Sequence, residues 1–381
     1  MSSLESQGIE TAVNRVESRV EVKPSKASAW MHNHKRALAA IGIQVAAVGV
    51  GLLVGAGLIA GSGASPIVAY RAVFIGAFGN IYNFTETLVK ATPILLAGLG
   101  VTVAFRCSVW NIGAEGQLRM GALAATAVGI AFAGRAVSGV LLIPLLLVAA
   151  FAGGGAWGAL AGWLKVRWRV DEVIGTIMLN FIAALFVNYM ITGPLREPTG
   201  GGVPLTREIA EAAQLPRLFG NVLIGVRLHL GFVIGLIAAG LVHVFLWHTV
   251  PGYQLRAVGA NPKAAQLGGI NVTWNIVLSL IISGGLAGLA GMGEVAGLHY
   301  RLIEGFSPNY GATGIIVALL GKLHPLGVVI AAILFGGLII GTDAMTRAVD
   351  VPGSIVFVMQ GVIVLCVLAG ELLARRWKLT E

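Results

Sequence analysis

Residues 111–117 read NIGAEGQ and lie between two strongly apolar stretches, LLAGLGVTVAF before and GALAATAVGIAFAG after. Glu115 in this stretch, and Glu294 in GLAGMGEVAG, are the two carboxylates set well inside apolar segments. A charge at such a position is costly, and it persists where the group faces a cavity or meets a partner. Asn111 and Gln117 add polar side chains beside Glu115, and Gly113 and Gly116 leave backbone groups accessible. The chemistry on offer is hydrogen bonding to a polar solute in an apolar setting. The plainer reading is that each glutamate bonds a neighbouring helix and only fixes packing. The small residues around Glu294 favour that reading more than those around Glu115 do.

A second broken stretch, EGFSPNYGATG (304–314), has Gly305, Pro308, Gly311 and Gly314 where a helix would otherwise run. Phe306, Asn309 and Tyr310 lie within it, and Asn180 lies in DEVIGTIMLNFIA. Irregular backbone at membrane depth survives only where protein or a water-filled cavity covers it. One broken segment in each half of a chain points to a transport pathway at a repeat interface. The candidate pathway set is therefore Asn111, Glu115, Gln117, Asn180, Glu294, Phe306, Asn309 and Tyr310. The two halves share no clear sequence identity, so the repeat itself stays open at this level.

These residues must be held by membrane helices. The 381 residues are 56% hydrophobic and 11% charged, with mean hydropathy +0.85; soluble domains carry about 25% charged residues. Apolar runs near the 20 residues that a span needs fall at about 37–60, 87–105, 116–134, 138–164, 173–193, 228–249, 274–298, 325–342 and 353–374, with a shorter one at 310–322. The stretch 65–82 reads as an outside loop or half-helix. The predicted fold is an all-α polytopic bundle of about ten spans with broken half-helices. It divides into a flexible cytoplasmic tail (1–36), a transmembrane domain (37–374) and a short cytoplasmic tail (375–381). The formal charge of +9 sits in short flanks such as KVRWR (165–169) and RRWK (375–378). That is the distribution of loops on the cytoplasmic side, and it argues against a nucleic-acid surface. It places both termini and the loop 249–273 inside and the hydrophilic segment 194–227 outside. That outer segment is a solvated loop or a docking surface for an external partner.

Several activities lack their residues. GKL at 321–323 is not a phosphate loop, because Ile316 stands where a glycine is needed and Leu323 where Ser or Thr is needed. His243 and His248 are five apart and do not share a helix face. No G-x-S-x-G elbow occurs, and Cys107 and Cys366 form no metal motif.

Residues 252–273 read GYQLRAVGANPKAAQLGGINVT. Asn261 suits a helix cap, Pro262 a first helical position and Gly268–Gly269 a stop. The result is a short helix over 261–268. Such a helix is marginal alone, so it must dock, with small Ala264 and Ala265 allowing close seating.

Together NIGAEGQLRMGA, VDEVIGTIMLNFIA, LRAVGANPKAAQLGGI, GGLAGLAGMGEVAG and FSPNYGATGIIVALLGKLHPLG resemble the permease subunits of ABC importers. The likeness is to the nucleoside and simple-sugar branch of the group that includes branched-chain amino-acid permeases, over residues 37–373. The resemblance implies a translocation subunit that is not itself an enzyme and binds no cofactor, with ATP used by a separate ATP-binding subunit. It also implies a second permease subunit, identical or not, an extracytoplasmic substrate-binding protein, and a place in the bacterial inner membrane. Arg256, Asn261, Pro262, Ala264, Ala265 and Gly268 match the family's coupling region to the ATPase. A branched-chain amino-acid permease is the alternative within the class. An ion-coupled secondary transporter is a further one, thinly supported by two isolated glutamates.

Overall fold

The computed structural model describes residues 26–198, 203–220 and 225–349, and beyond them 358, 361–362, 365–366, 369–370 and 376. Its helices are α1 (Lys26–Gly61), α2 (Pro66–Phe78), α3 (Ile81–Arg106), α4 (Ala114–Ala131), α5 (Gly139–Trp168), α6 (Glu172–Thr192), α7 (Gly231–His248), α8 (Val250–Ala260), α9 (Pro262–Leu267), α10 (Val272–Glu294), α11 (Tyr310–Leu320) and α12 (Pro325–Val349). A π-helical turn, Val295–His299, continues α10. Among the described residues β structure is limited to isolated bridges, Arg196 with Thr206, Leu205 with Ile303 and Arg217 with His229.

The chain divides into two units, residues 57–356 and a smaller one of 1–56 with 357–381. In the smaller unit α1 starts at Lys26, earlier than the expected 37, and Gly370 lies so close to α1 that a Cβ there would come within 2.9 Å of Ala47 Cβ. The remainder of the expected N-terminal tail (1–25), and most of the expected last span (353–374) and C-terminal tail, lie outside the described residues.

In the larger unit α3 is central. Every residue from 91 to 104 is buried, as befits a helix that is apolar or small on all sides. It packs against α10, α12, α11 and α7. Among the described residues the most extensive helix–helix contact is α5 with α10. Gly154 and Gly158 face Gly284 and Gly288, and a Cβ on Gly158 would fall 2.1 Å from Leu280 O. Small residues let these two backbones touch, the usual means of helix association where lipid removes the hydrophobic drive.

Hydrogen bonds sort the loops into two ends. At one, Arg106 Nε donates to Leu323 O and Ser108 Oγ to Gly259 O, and a cleft joins Lys165 and Glu172 to Thr273. This is the basic end. At the other, Ala210 N donates to Gly129 O, Ile209 N to Tyr300 O and Leu215 N to Ala296 O. Successive elements alternate between the ends: α3 runs to the basic end, α5 also, α6 back, α7 to the basic end and α10 back.

Among the described residues six helices are long and apolar enough to cross a membrane, with a seventh if residues 46–61 and 66–78 form one broken span. The stretch 65–82, expected as an outside loop or half-helix, is mostly helix α2. The segment 310–322 is an eleven-residue helix, about 16 Å long, roughly half a hydrocarbon core. The other half of that pass is the irregular stretch 300–309, descending from Tyr300.

Three helix pairings recur when α3, α4 and α5 are exchanged with α10, α11 and α12. α4 packs on α10 as α11 packs on α3; α5 packs on α10 as α12 packs on α3; α4 meets α5 as α11 meets α12. α4 and α11 run in opposite senses, one toward the loop-rich end and the other toward the basic end. This is the arrangement of an inverted repeat with discontinuous helices, which sequence identity between the halves does not disclose.

Candidate translocation site

The site forms where the two broken segments meet. The chain leaves α3 through Ser108, held at φ 55°, and re-enters as residues 109–113. Asn111 organises this turn. Its Nδ2 donates to Gln117 Oε1 and to Ser283 Oγ, both at 2.8 Å, and its Oδ1 accepts from Gly113 N at 2.9 Å. Gln117 Nε2 returns a bond to Asn111 Oδ1 at 3.2 Å. The first turn of α4 has no cap from its own Gly113, so its free N–H groups need partners from elsewhere. α6 supplies them: Asn180 Oδ1 accepts from Gly116 N at 2.8 Å, and Asn180 Nδ2 donates to Ile112 O at 2.9 Å. Thr176 Oγ1 accepts from Ile112 N.

Glu115 lies on the other side of this turn, 8% exposed. Oε1 receives Arg119 at 3.2 Å, one helical turn on, and Oε2 accepts from Gly311 N at 2.9 Å. A Cβ on Gly311 would lie 2.3 Å from Glu115 N, so only glycine lets the start of α11 sit against the start of α4. The neighbouring Tyr310 is 1% exposed, and its hydroxyl takes a bond from Lys90 Nζ at 3.0 Å. Asn309 precedes it at φ 62° and is exposed.

The structure thus brings Asn111, Glu115, Gln117, Asn180 and Tyr310 to one place, but in different roles. Asn111, Gln117 and Asn180 are the supporting wall, their polar atoms committed to one another and to backbone. Glu115, Arg119, Lys90, Tyr310 and Asn309 form the polar face at the meeting point. Phe306 is buried beside it in the irregular stretch. Glu294 is held apart, 1% exposed in the π-helical turn region, where its Oε2 has no hydrogen-bond partner and His299 Nε2 stands 3.6 Å away. Toward the loop-rich end Arg227 pairs with Glu86. That hydrogen bond is the main reason the guanidinium holds its proton more tightly than usual, against the opposing effect of burial. Lys90 and Arg119 escape a search for carboxylates alone. The signal for them was present, since any ionisable group inside an apolar run marks a pathway.

At the basic end α9 has the expected shape. Asn261 Oδ1 accepts from Ala264 N at 3.1 Å, Pro262 is first, and the helix stops at Gly268, followed by Gly269 at φ 80°. Its faces differ from expectation. Ala265 is 6% exposed and packs on its own chain, while Ala264 is exposed and Leu267 is 91% exposed. Arg256 lies on α8, a helix not expected from sequence, and turns inward to donate to Leu246 O. Gly259 touches the end of α3, where a Cβ would be 2.1 Å from Arg106 O. The loop is therefore clamped to the chain just before Asn111.

Residues 83–368 match the family described as branched-chain amino acid transport system / permease component. The chain is 41% identical to the guanosine ABC transporter permease protein NupP of Bacillus subtilis over 327 residues, 85% of this chain and 92% of that one. It is 32% identical to the glucose ABC transporter permease protein TsgB13 of Haloferax volcanii, over 88% of this chain and 89% of that one. It is 31% identical to the nucleoside ABC transporter permease protein NupB of Lactococcus lactis, over 84% and 89%. No solved structure matches.

Proposed function

Since the chain belongs to the branched-chain amino acid transport system / permease component family, as a multi-pass ABC permease subunit, we propose that it carries nucleosides or simple sugars across the plasma (inner) membrane of a bacterium. The meeting point of α4 and α11 is the polar step of the path. The observation that carries this reading is the bond from Gly311 N to Glu115 Oε2. It joins the two discontinuous helices at mid-depth, the place where transporters with this architecture bind solute. The polar groups there, Asn309 exposed and Lys90 and Arg119 partly exposed, offer donors to hydroxyl or base acceptors. The names of the similar permeases support the substrate class.

In this reading the subunit holds no cofactor and hydrolyses no ATP. A separate ATP-binding subunit docks on the α8–α9 loop, a second permease subunit completes the path, and an extracytoplasmic binding protein delivers the solute to the loop-rich end. The basic end faces the cytoplasm together with both termini, as the Lys and Arg distribution favours.

Uptake of labelled guanosine, adenosine, glucose and leucine by cells expressing the complete importer tests the substrate. Uptake of leucine alone would select branched-chain amino acids, the alternative that the family description favours. Single cysteines at Ala264 and Val203, probed with an impermeant thiol reagent, test the orientation. Labelling of the Ala264 site from outside intact cells would reverse it.

A further inference from the structure

At the basic end two guanidiniums and two imidazoles surround one tryptophan. Arg106 Cζ lies 5.2 Å and Arg256 Cζ 5.9 Å from the ring centre of Trp247. The His324 ring is 5.2 Å from Trp247, and the His243 ring is 5.1 Å from Trp247 and 5.4 Å from His324. Four elements contribute: the end of α3, the end of α7, α8 and the turn before α12.

Among the described residues no carboxylate pairs with either guanidinium. Arg106 donates through Nε to Leu323 O and through Nη2 to Lys322 O, and Arg256 through Nε to Leu246 O. The remaining Nη donors of both have no protein acceptor among those residues. All the side chains are partly exposed. Backbone carbonyls orient the two forks without neutralising them, and a guanidinium fork matches the oxygens of phosphate. Beside the cluster, Val250 and Tyr253 on α8 are 70% and 60% exposed, an apolar and aromatic surface of the kind found where protein meets the headgroup layer. Basic pockets between helices at this level bind anionic headgroups.

We propose that Arg106, Arg256 and His324, gathered around Trp247, form a binding site for a phosphate group, supplied by the headgroup of an anionic phospholipid. The position at the rim of the bundle favours the lipid over free phosphate. His324 is consistent with it: burial first, then the nearby His243 and Arg106, push its pKa down, and a bound phosphate would push it back up.

The test is native mass spectrometry of the purified permease in its complex, titrated with phosphatidylglycerol, with phosphatidylcholine of the same chains, and with inorganic phosphate. The expected result is a discrete phosphatidylglycerol adduct, about tenfold tighter than phosphatidylcholine. Arg106→Gln with Arg256→Gln should abolish the preference, and the double Lys variant should keep it. Failure of millimolar phosphate to displace the lipid assigns the headgroup, whereas displacement assigns free phosphate to the same site. Equal binding of the two lipids by the unaltered protein, with no phosphate bound, overturns the proposal. So do Gln variants that retain the full preference. If the Gln variants do not fold, the unaltered protein and the Lys variant decide alone.

Discussion

The amide of Gly311 donates to Oε2 of Glu115 at 2.9 Å, across 196 residues of sequence. The same carboxylate holds Arg119 through its other oxygen. The question posed by a glutamate in an apolar stretch thus has a local answer: one cation and one backbone N–H compensate it. A carboxylate so held ties two half-helices together.

Glu115→Gln keeps an acceptor for Gly311 and loses the pairing with Arg119. The expected outcome is normal membrane abundance with uptake reduced about tenfold, or about 1.4 kcal/mol, read by labelled-solute flux alongside quantitative blotting. Gly311→Ala should behave differently. Its Cβ would meet backbone rather than a movable side chain, so the permease itself should be lost from the membrane. Normal uptake by Glu115→Gln would leave Glu115 a packing residue.

Asn180→Ala removes the partners of Gly116 N and Ile112 O together. Buried groups left unpaired cost about 1–3 kcal/mol each. The melting temperature of the purified complex should fall. An unchanged melting temperature with lost uptake would move Asn180 from the wall to the path.

Leu267→Glu and Ala265→Glu separate docking from folding. Leu267 projects from α9, so its replacement should weaken co-purification of the ATPase at unchanged melting temperature. Ala265 packs inward, and burying an unpaired charge there should lower the melting temperature. Full ATPase retention by Leu267→Glu would remove this face of α9 from the contact.

His229 sets a pH dependence. It is buried between Gly231 and Gly297 in the loop-rich end, and burial, assisted by Arg217, lowers its pKa from 6.5 to about 4. The unfolded chain therefore takes up this proton first as pH falls. The contribution to stability is whole above pH 6.5, declines from there to about pH 4, and amounts to roughly 3 kcal/mol at most. Melting curves across that range should show the slope, and His229→Gln should flatten it.

What was legible in the sequence was local. Asn261, Pro262 and Gly268–Gly269 specify both ends of α9 by cap chemistry within a few residues. The polar interruption at 111–117 and the Gly/Pro interruption at 304–314 announced the breaks. What was hidden was either long-range or non-periodic. Lys90 and Tyr310 are 220 residues apart, so their pairing has no sequence signature. A six-residue helix has too few turns to show which face is buried, hence the misplaced Ala265. α8 begins with Val-Pro-Gly, which reads as a loop, yet Thr249 Oγ1 caps it by accepting from Gly252 N. α1 starts in the polar run KASAWMHNHK, where propensity rather than apolar character forms the helix.

The burial of α3 has a consequence for biogenesis. Its inner stretch, 91–104, is covered by α10, α11 and α12, all of which leave the ribosome long after α3 itself. At a synthesis rate of about 5–20 residues per second, α3 waits many seconds with Lys90, Thr92 and Thr102 unshielded by their eventual neighbours. Until then the helix depends on the insertion machinery or on early neighbours for cover. A chain truncated before α10 should be held at the insertion site or degraded, and a ribosome stall between α7 and α10 should be more damaging than one after α12.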